Sequence, residues 1–176
     1  MSDAIQVLLT RRTVRAYEPR PVPREELETI VNCGTYAATS RGGQAFHFTV
    51  VTNQDLLDRI SEATRKVLQP EQADYHNFYH APAVIFVSGE QAAANAGMPD
   101  CANATENMAL AAKALGLGSC YIASHKNGLL GPEGAPLCKE LGIPQGYAPQ
   151  FALAVGYAVE EVPAAPRREN LVNWVE

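Results

Sequence analysis

The sequence predicts an α+β sandwich of about four strands with helices around them, in a single domain over residues 1–176. Three observations predict it. The 176 residues match one ordinary domain, long enough to bury roughly two thirds of the surface of the unfolded chain. The composition, 47% hydrophobic and 19% charged, is neither that of a disordered chain nor that of a coiled coil. Short β-branched and aromatic runs alternate with amphipathic helical patterns, without internal repeats or a composition shift that would mark a second domain.

Asp3-x-x-Gln6 has the form of a capping box, and Ile5, Leu8 and Leu9 follow at helical spacing, so a short helix ends near Thr10. Pro19, Pro21 and Pro23 break the next stretch. Leu27, Ile30, Val31, Gly34 and Ala38 then share a face of a second helix with Glu25 and Glu26 in its first turn. A Ser- and Gly-rich loop, Thr39 to Gly43, ends it. Phe46 to Thr52 reads as a strand and Asn53 as the N-cap of a third helix striped by Leu56, Leu57, Ile60, Ala63, Thr64, Val67 and Leu68. Pro70 to Pro82 is a loop or frayed helix. Ala83 to Ser88 is a strand buried on both faces, and Gly89 to Pro99 a loop. Asp100 caps an Ala-rich helix that ends at Gly116 and is apolar almost all round, so it belongs in a core or a subunit interface. Ser119 to Ala123, Pro136 to Leu141 and Phe151 to Tyr157 read as strand, helix and strand. The apolar end, Leu171 to Val175 with the only tryptophan, must bury itself against the core or a partner subunit.

The 14 Lys+Arg against 19 Asp+Glu leave a net charge of −5, which argues against nucleic-acid and anionic-membrane partners. No window approaches the ~18 apolar residues of a membrane span, and no secretory leader opens the chain, so a cytoplasmic protein is expected. Cys33, Cys101, Cys120 and Cys138 are scattered without zinc-type spacing.

The densest positive charge is Arg11-Arg12-Thr13-Val14-Arg15. Three guanidiniums and a hydroxyl can grip a phosphate, although short Arg runs are common on solvated surfaces. Arg167-Arg168 forms a second basic island at the far end of the chain. The two make sense together if they converge on one anion, which spacing alone does not show. The loop from Ala38 to Gln44 offers hydroxyls, an amide and glycines, but matches neither a phosphate loop nor a dinucleotide fingerprint. His76-x-x-x-His80 could set two imidazoles on one helical face. No Glu follows His76 in the HExxH manner, and no metal centre is expected.

Together these motifs resemble the nitroreductase family of FMN-dependent oxidoreductases along nearly the whole chain. Arg11-Arg12-Thr13-Val14-Arg15-Ala16-Tyr17 is similar to that family's Arg-Arg-Ser-x-Arg-x-Phe. Tyr36 to Gln44 followed by Phe46-His47-Phe48 resembles its Ala-Pro-Ser-x-x-Asn-x-Gln-Pro-Trp-x-Phe. Asp100-Cys101, Glu106 to Ala112, Leu115 to Cys120, Gly142-Ile143-Pro144 to Gly156-Tyr157, and Arg167-Arg168 complete the pattern in order.

The resemblance implies a mainly antiparallel central sheet flanked by helices, a homodimer with shared active sites, and tightly bound FMN with NADH or NADPH as electron donor. Arg11, Thr13 and Arg15, with Arg12 beside them, would hold the ribityl phosphate and the polar edge of the flavin, and Arg167 and Arg168 would meet the phosphate. Thr39, Ser40, Gly42 and Gln44 fall in the loop that reaches the partner's flavin, and Asn77 near its pyrimidine edge. Ala123 and Ser124 fall where backbone amides approach flavin N5. No side chain is expected to carry the chemistry itself, which belongs to the cofactor. Ala38, Gly42, Ala45 and Phe46 depart from the family's usual Pro, Asn, Pro and Trp, leaving backbone contacts in that loop. The implied reaction is hydride transfer from NAD(P)H to a small electrophilic acceptor such as a nitroaromatic or quinone. The alternatives are dehalogenation or flavin fragmentation, with Tyr75 to His80 as the lid, and a non-catalytic flavin sensor.

Overall fold

A computed structural model describes residues 3–93 and 97–176. Its centre is a four-stranded sheet in the order β1-β2-β4-β3, antiparallel throughout, from β1 (Phe46–Val51), β2 (Ala83–Glu90), β3 (Gly118–Ile122) and β4 (Tyr147–Gly156). Helices α1 (Asp3–Thr10), α2 (Arg24–Thr35), α3 (Gln54–Leu68), α4 (Gly97–Ala114), α5 (Lys126–Leu129) and α6 (Gly134–Glu140) surround it.

The alternation of side chains along a strand explains the layering. Val84 and Phe86 of β2 point into one core with Leu57, Ile60 and Phe78, under α3, α5 and α6. Ala83, Ile85 and Val87 point into the opposite core with Ile30 of α2 and Met108 of α4. β2 is therefore buried on both faces, as its continuous apolar run predicts. Asn53 caps α3 through its side chain, which accepts the Leu56 N–H at 3.2 Å.

Four boundaries differ from the sequence reading. β4 begins at Tyr147, four residues before Phe151, because Pro149 sits beside a register shift opposite Val87/Ser88, where a missing N–H is tolerated. The second helix ends at Thr35 and does not reach Ala38. α4 begins at Gly97, so Asp100 lies inside its first turn and does not cap it, and Pro99 is accommodated because first-turn N–H groups have no intrahelical acceptor. Of the expected Gly89–Pro99 loop, Gly89 and Glu90 extend β2, Gln91–Ala93 form a 3₁₀ turn, and residues 94–96 lie outside the described residues. The four-residue α5 is too short to show a period. It packs so closely on α3 that a Cβ at Gly128 would meet the Thr64 backbone nitrogen at 2.6 Å.

The C-terminal apolar stretch finds no cover within its own chain. Leu171, Val172 and Trp174 are 71%, 64% and 86% exposed. α1 likewise buries no residue, leaving Ile5, Leu8 and Leu9 open to solvent. Among the described residues no helix is long and apolar enough to cross a membrane.

Candidate cofactor site

Beyond α1 the chain runs extended along the outer edge of the sheet. Thr13 bridges Ser119 of β3, the Val14 N–H donates to the Ser119 carbonyl at 2.9 Å, and Tyr17 bridges Ala158 just past β4. Val14 is buried against Gly118, where a Cβ would come within 2.8 Å of Val14 Cγ2. That anchoring turns Thr13 and Arg15 to the opposite side, since side chains alternate along an extended segment, while Arg11 closes the last helical turn through its N–H bond to the Val7 carbonyl.

Arg11, Arg12, Thr13, Arg15 and Arg167 line one cleft of about 290 Å³, closed by Val162, Pro163 and Ala165 of the tail. The two basic islands thus meet, although 156 positions (167 − 11) separate Arg11 from Arg167. Arg168 is exposed and outside that lining. A second cleft of about 580 Å³ adjoins it through Arg11, Arg12 and Val162, and adds Lys113.

The guanidiniums are not equivalent. Arg11 pairs with Glu106 of α4 at 3.3 Å, a half-exposed contact that leaves the head near solvent. Arg12 Nη1 donates at 2.8 Å to both the Leu9 and Arg11 carbonyls, so it closes the C-terminal end of α1, where a cation suits the helix dipole. Arg15 lies 5.8 Å from the centre of the Tyr79 ring, and a hydrogen bond with Tyr79 raises its pKa further, so its charge is permanent.

Asn77 is buried outside the lining of both basic clefts. Its Oδ1 accepts from Ser124 Oγ at 2.5 Å and from the Tyr75 hydroxyl at 2.9 Å, while its N–H donates to Ser61 Oγ at 2.7 Å. The Nδ2 amide is buried without a partner among the described residues, a donor whose pairing would offset its burial cost. Ala123, just after β3, is exposed, and the N–H of Asn127 donates to the Ser124 carbonyl at 3.0 Å. Tyr79 and Asn77 join the two groups, one touching Arg15 and the other Ser124. Because Asn77 and Phe78 are almost wholly buried, this stretch is a wall of the core and not a free lid.

Thr39, Ser40, Gly42 and Gln44 do not join either group. They form an exposed loop with a 3₁₀ turn at Ser40–Gly42, in which Arg41, Gly42 and Gln44 take positive φ of 54°, 69° and 48°. Gly42 meets that backbone demand without a Cβ penalty. The Gln44 N–H donates to Thr39 Oγ1 at 3.3 Å.

His76 Nε2 lies 3.1 Å from Asp58 Oδ1, and the ligating atoms of Asp58, His76 and His80 lie within 4.8 Å of one another. The His80 N–H donates to His76 Nδ1, so the neutral ring carries its proton on Nε2 and donates it to the carboxylate, an arrangement that leaves no lone pair there for a cation. Burial pushes the Cys101 thiol up to about 12 and raises Cys120, which keeps both protonated and unsuited to nucleophilic work.

Tyr79, Asp100, Asn103 and Glu106 were not singled out as site residues from the sequence. For the last three the available signal was the set of polar side chains at helical spacing in an otherwise Ala-rich helix.

The chain resembles known proteins in both sequence and fold. A protein of Archaeoglobus fulgidus, described provisionally as an NADH dehydrogenase/NAD(P)H nitroreductase, is 29% identical over 167 residues, which cover 92% of this chain and 88% of that one. An NADPH-dependent FMN reductase of Bacillus subtilis is 26% identical over 183 residues, covering 95% and 70%. A crystal structure of a nitroreductase with bound FMN from Bacteroides fragilis superposes with a TM-score of 0.89 at 31% identity, over the full length of both chains. The sequence profile of the nitroreductase family matches residues 8–157, and the chain belongs to that family.

Proposed function

We propose that this protein is an FMN-dependent oxidoreductase that takes electrons from NADH or NADPH and reduces a small electrophilic acceptor, a nitroaromatic or a quinone. The observation that carries the reading is the meeting of Arg11, Thr13, Arg15 and Arg167 in one cleft of a chain whose net charge is −5. Such a cluster in an acidic protein is a site for a dianionic group, and the FMN phosphate fits it. The FMN-bound relative from Bacteroides fragilis supports the assignment.

The flavin supplies the hydride chemistry when bound; the chain supplies binding, orientation and electrostatics. Arg11 and Arg167 would hold the phosphate, with Thr13 donating its hydroxyl, while exposed Arg168 lies outside the cleft lining. Arg15, a permanent cation beside Tyr79, would lie at the polar edge of the ring and stabilise negative charge there. The backbone of Ala123 and Ser124 would stand by the reactive nitrogen, and Asn77, buried behind Ser124, would set the Ser124 side chain through its 2.5 Å hydrogen bond. Thr39, Ser40, Gly42 and Gln44 complete the site of a second subunit in a homodimer. The uncovered apolar face of α1 and the exposed Leu171, Val172 and Trp174 support that assembly, because surfaces of this kind are covered in most soluble proteins.

Titration of the purified protein with FMN, combined with sizing, tests the reading. The expected result is stoichiometric flavin retention by a dimer. Absence of FMN binding, or a stable FMN-loaded monomer, would contradict the cofactor and the shared site respectively.

A further inference from the structure

One face of α4 carries three polar side chains, two of which reach the connection between α2 and β1 while the third reaches the last turn of α2. Asp100, Asn103 and Asn107 are spaced i, i+3, i+7 and so form a single stripe. Asp100 Oδ1 accepts the Ser40 N–H at 3.0 Å. Asn103 Nδ2 donates to the Ala38 carbonyl at 2.9 Å, and Asn107 Nδ2 donates to the Cys33 carbonyl at 3.3 Å. Asp100 is 3% exposed, and its Oδ2 has no partner among the described residues. Burying a carboxylate that is only half paired is unfavourable in itself, so this aspartate does not serve stability alone.

What the stripe holds is a strained and exposed loop. Arg41 and Gln44 adopt left-handed backbone although neither is glycine, and such conformations persist only where the surroundings over-determine them. No side chain of Ser40–Gly42 is buried, so the loop is not fixed by its own packing. Besides its own turn hydrogen bonds, it is held from beneath by α4 side chains that bond the backbone of Ala38 and Ser40.

We infer that Asp100, with Asn103, is a positioning residue that presets the Thr39–Gln44 loop for the flavin of the neighbouring subunit. Neither residue touches the flavin. They cut the ordering cost that a free loop would meet on binding, so their loss appears as weaker FMN binding in trans. This inference rests on the FMN reading above.

The test uses the full-length protein with Asp100→Ala, Asp100→Asn and Asn103→Ala. Asp100→Asn keeps an oxygen for the Ser40 N–H and is expected to bind FMN within about twofold of the parent. Asp100→Ala and Asn103→Ala are expected to raise the FMN Kd by about fivefold or more. Asn103 is exposed, so its variant decides the matter if Asp100→Ala does not fold. Hydrogen exchange in the flavin-free protein supplies the second readout: the Ser40 amide is protected in the parent and in Asp100→Asn, and exchanges about tenfold or more faster in Asp100→Ala. A dimer pairing one Arg11→Ala subunit with one Asp100→Ala subunit should keep one intact site and lose the other, whereas a loop acting on its own subunit would impair both. Parent-like FMN affinity in Asn103→Ala and in folded Asp100→Ala overturns the inference. If the parent itself fails to bind FMN, the cofactor reading falls, while Ser40 protection still reports whether the clamp exists.

Discussion

Replacing Arg11 by alanine separates phosphate recognition from general damage to the fold. Arg11 lines the basic cleft with a quarter-exposed side chain, and its ion pair with half-exposed Glu106 at 3.3 Å has little stability to lose, since solvent-screened pairs contribute about 0–1 kcal/mol. A charge-assisted hydrogen bond to a phosphate is worth about 1.5–3 kcal/mol, or roughly 10- to 150-fold in Kd. Giving up the Glu106 pair on binding moves the expectation toward the lower end. The assay is the ratio of riboflavin to FMN dissociation constants, read from flavin fluorescence. Loss of affinity through a disturbed fold affects both ligands and cancels in the ratio. We expect the ratio to fall about tenfold or more in Arg11→Ala. It should hold in Arg20→Ala, whose guanidinium stacks 3.9 Å from the Tyr157 ring centre outside the cleft lining. It should also hold in Arg12→Ala, because Nη1 of Arg12 is committed to the end of α1. An unchanged ratio in Arg11→Ala would refute the phosphate role.

Gly118→Ala puts a Cβ 2.8 Å from Val14 Cγ2, on the contact that turns Thr13 and Arg15 toward the cleft; a loss of about 1–3 kcal/mol in urea unfolding is expected together with weaker FMN binding, and parent-like values for both would contradict the anchoring. His125 is fully buried, and burial lowers its pKa to about 3. Between about pH 6.5 and 3 the unfolded chain therefore binds a proton that the folded chain does not, and stability falls with falling pH by up to about 1.4 kcal/mol per unit. His125→Leu should flatten that part of the urea-midpoint profile, the remaining slope including His76, which burial also lowers. Deleting residues 171–176 removes exposed Leu171, Val172 and Trp174 and should weaken dimerisation by about tenfold or more in sedimentation, with an unchanged dimer as the opposing result.

The parts of the fold legible in the sequence are those set by local period and composition. β2 shows itself as an unbroken apolar run and α3 as a capped stripe, because both patterns follow directly from which faces are buried. The start of β4 was hidden by Pro149, whose presence in an inner strand is allowed only by the local register shift against β2. Asp100 has the chemistry of a cap, yet the helix begins three residues earlier and its carboxylate serves another segment. In the site, the arginine cluster was visible as charge density, but its meeting with Arg167 depends on the tail passing beside the 11–15 segment, a long-range contact with no local signature. Tyr79 and the α4 stripe escaped for the same reason: their partners lie at least 60 positions away in sequence (Asp100 and Ser40 differ by 60; Arg15 and Tyr79 by 64).

The proposed function requires that the cleft hold an FMN that pyridine nucleotides reduce. Its most direct test is the visible spectrum of the purified, FMN-loaded protein under anaerobic addition of NADH and of NADPH, followed by a nitroaromatic or quinone. Loss of the flavin absorbance with at least one nucleotide, and its return when the acceptor is added, is the predicted result. A flavin spectrum that neither nucleotide alters would contradict the assignment as an oxidoreductase.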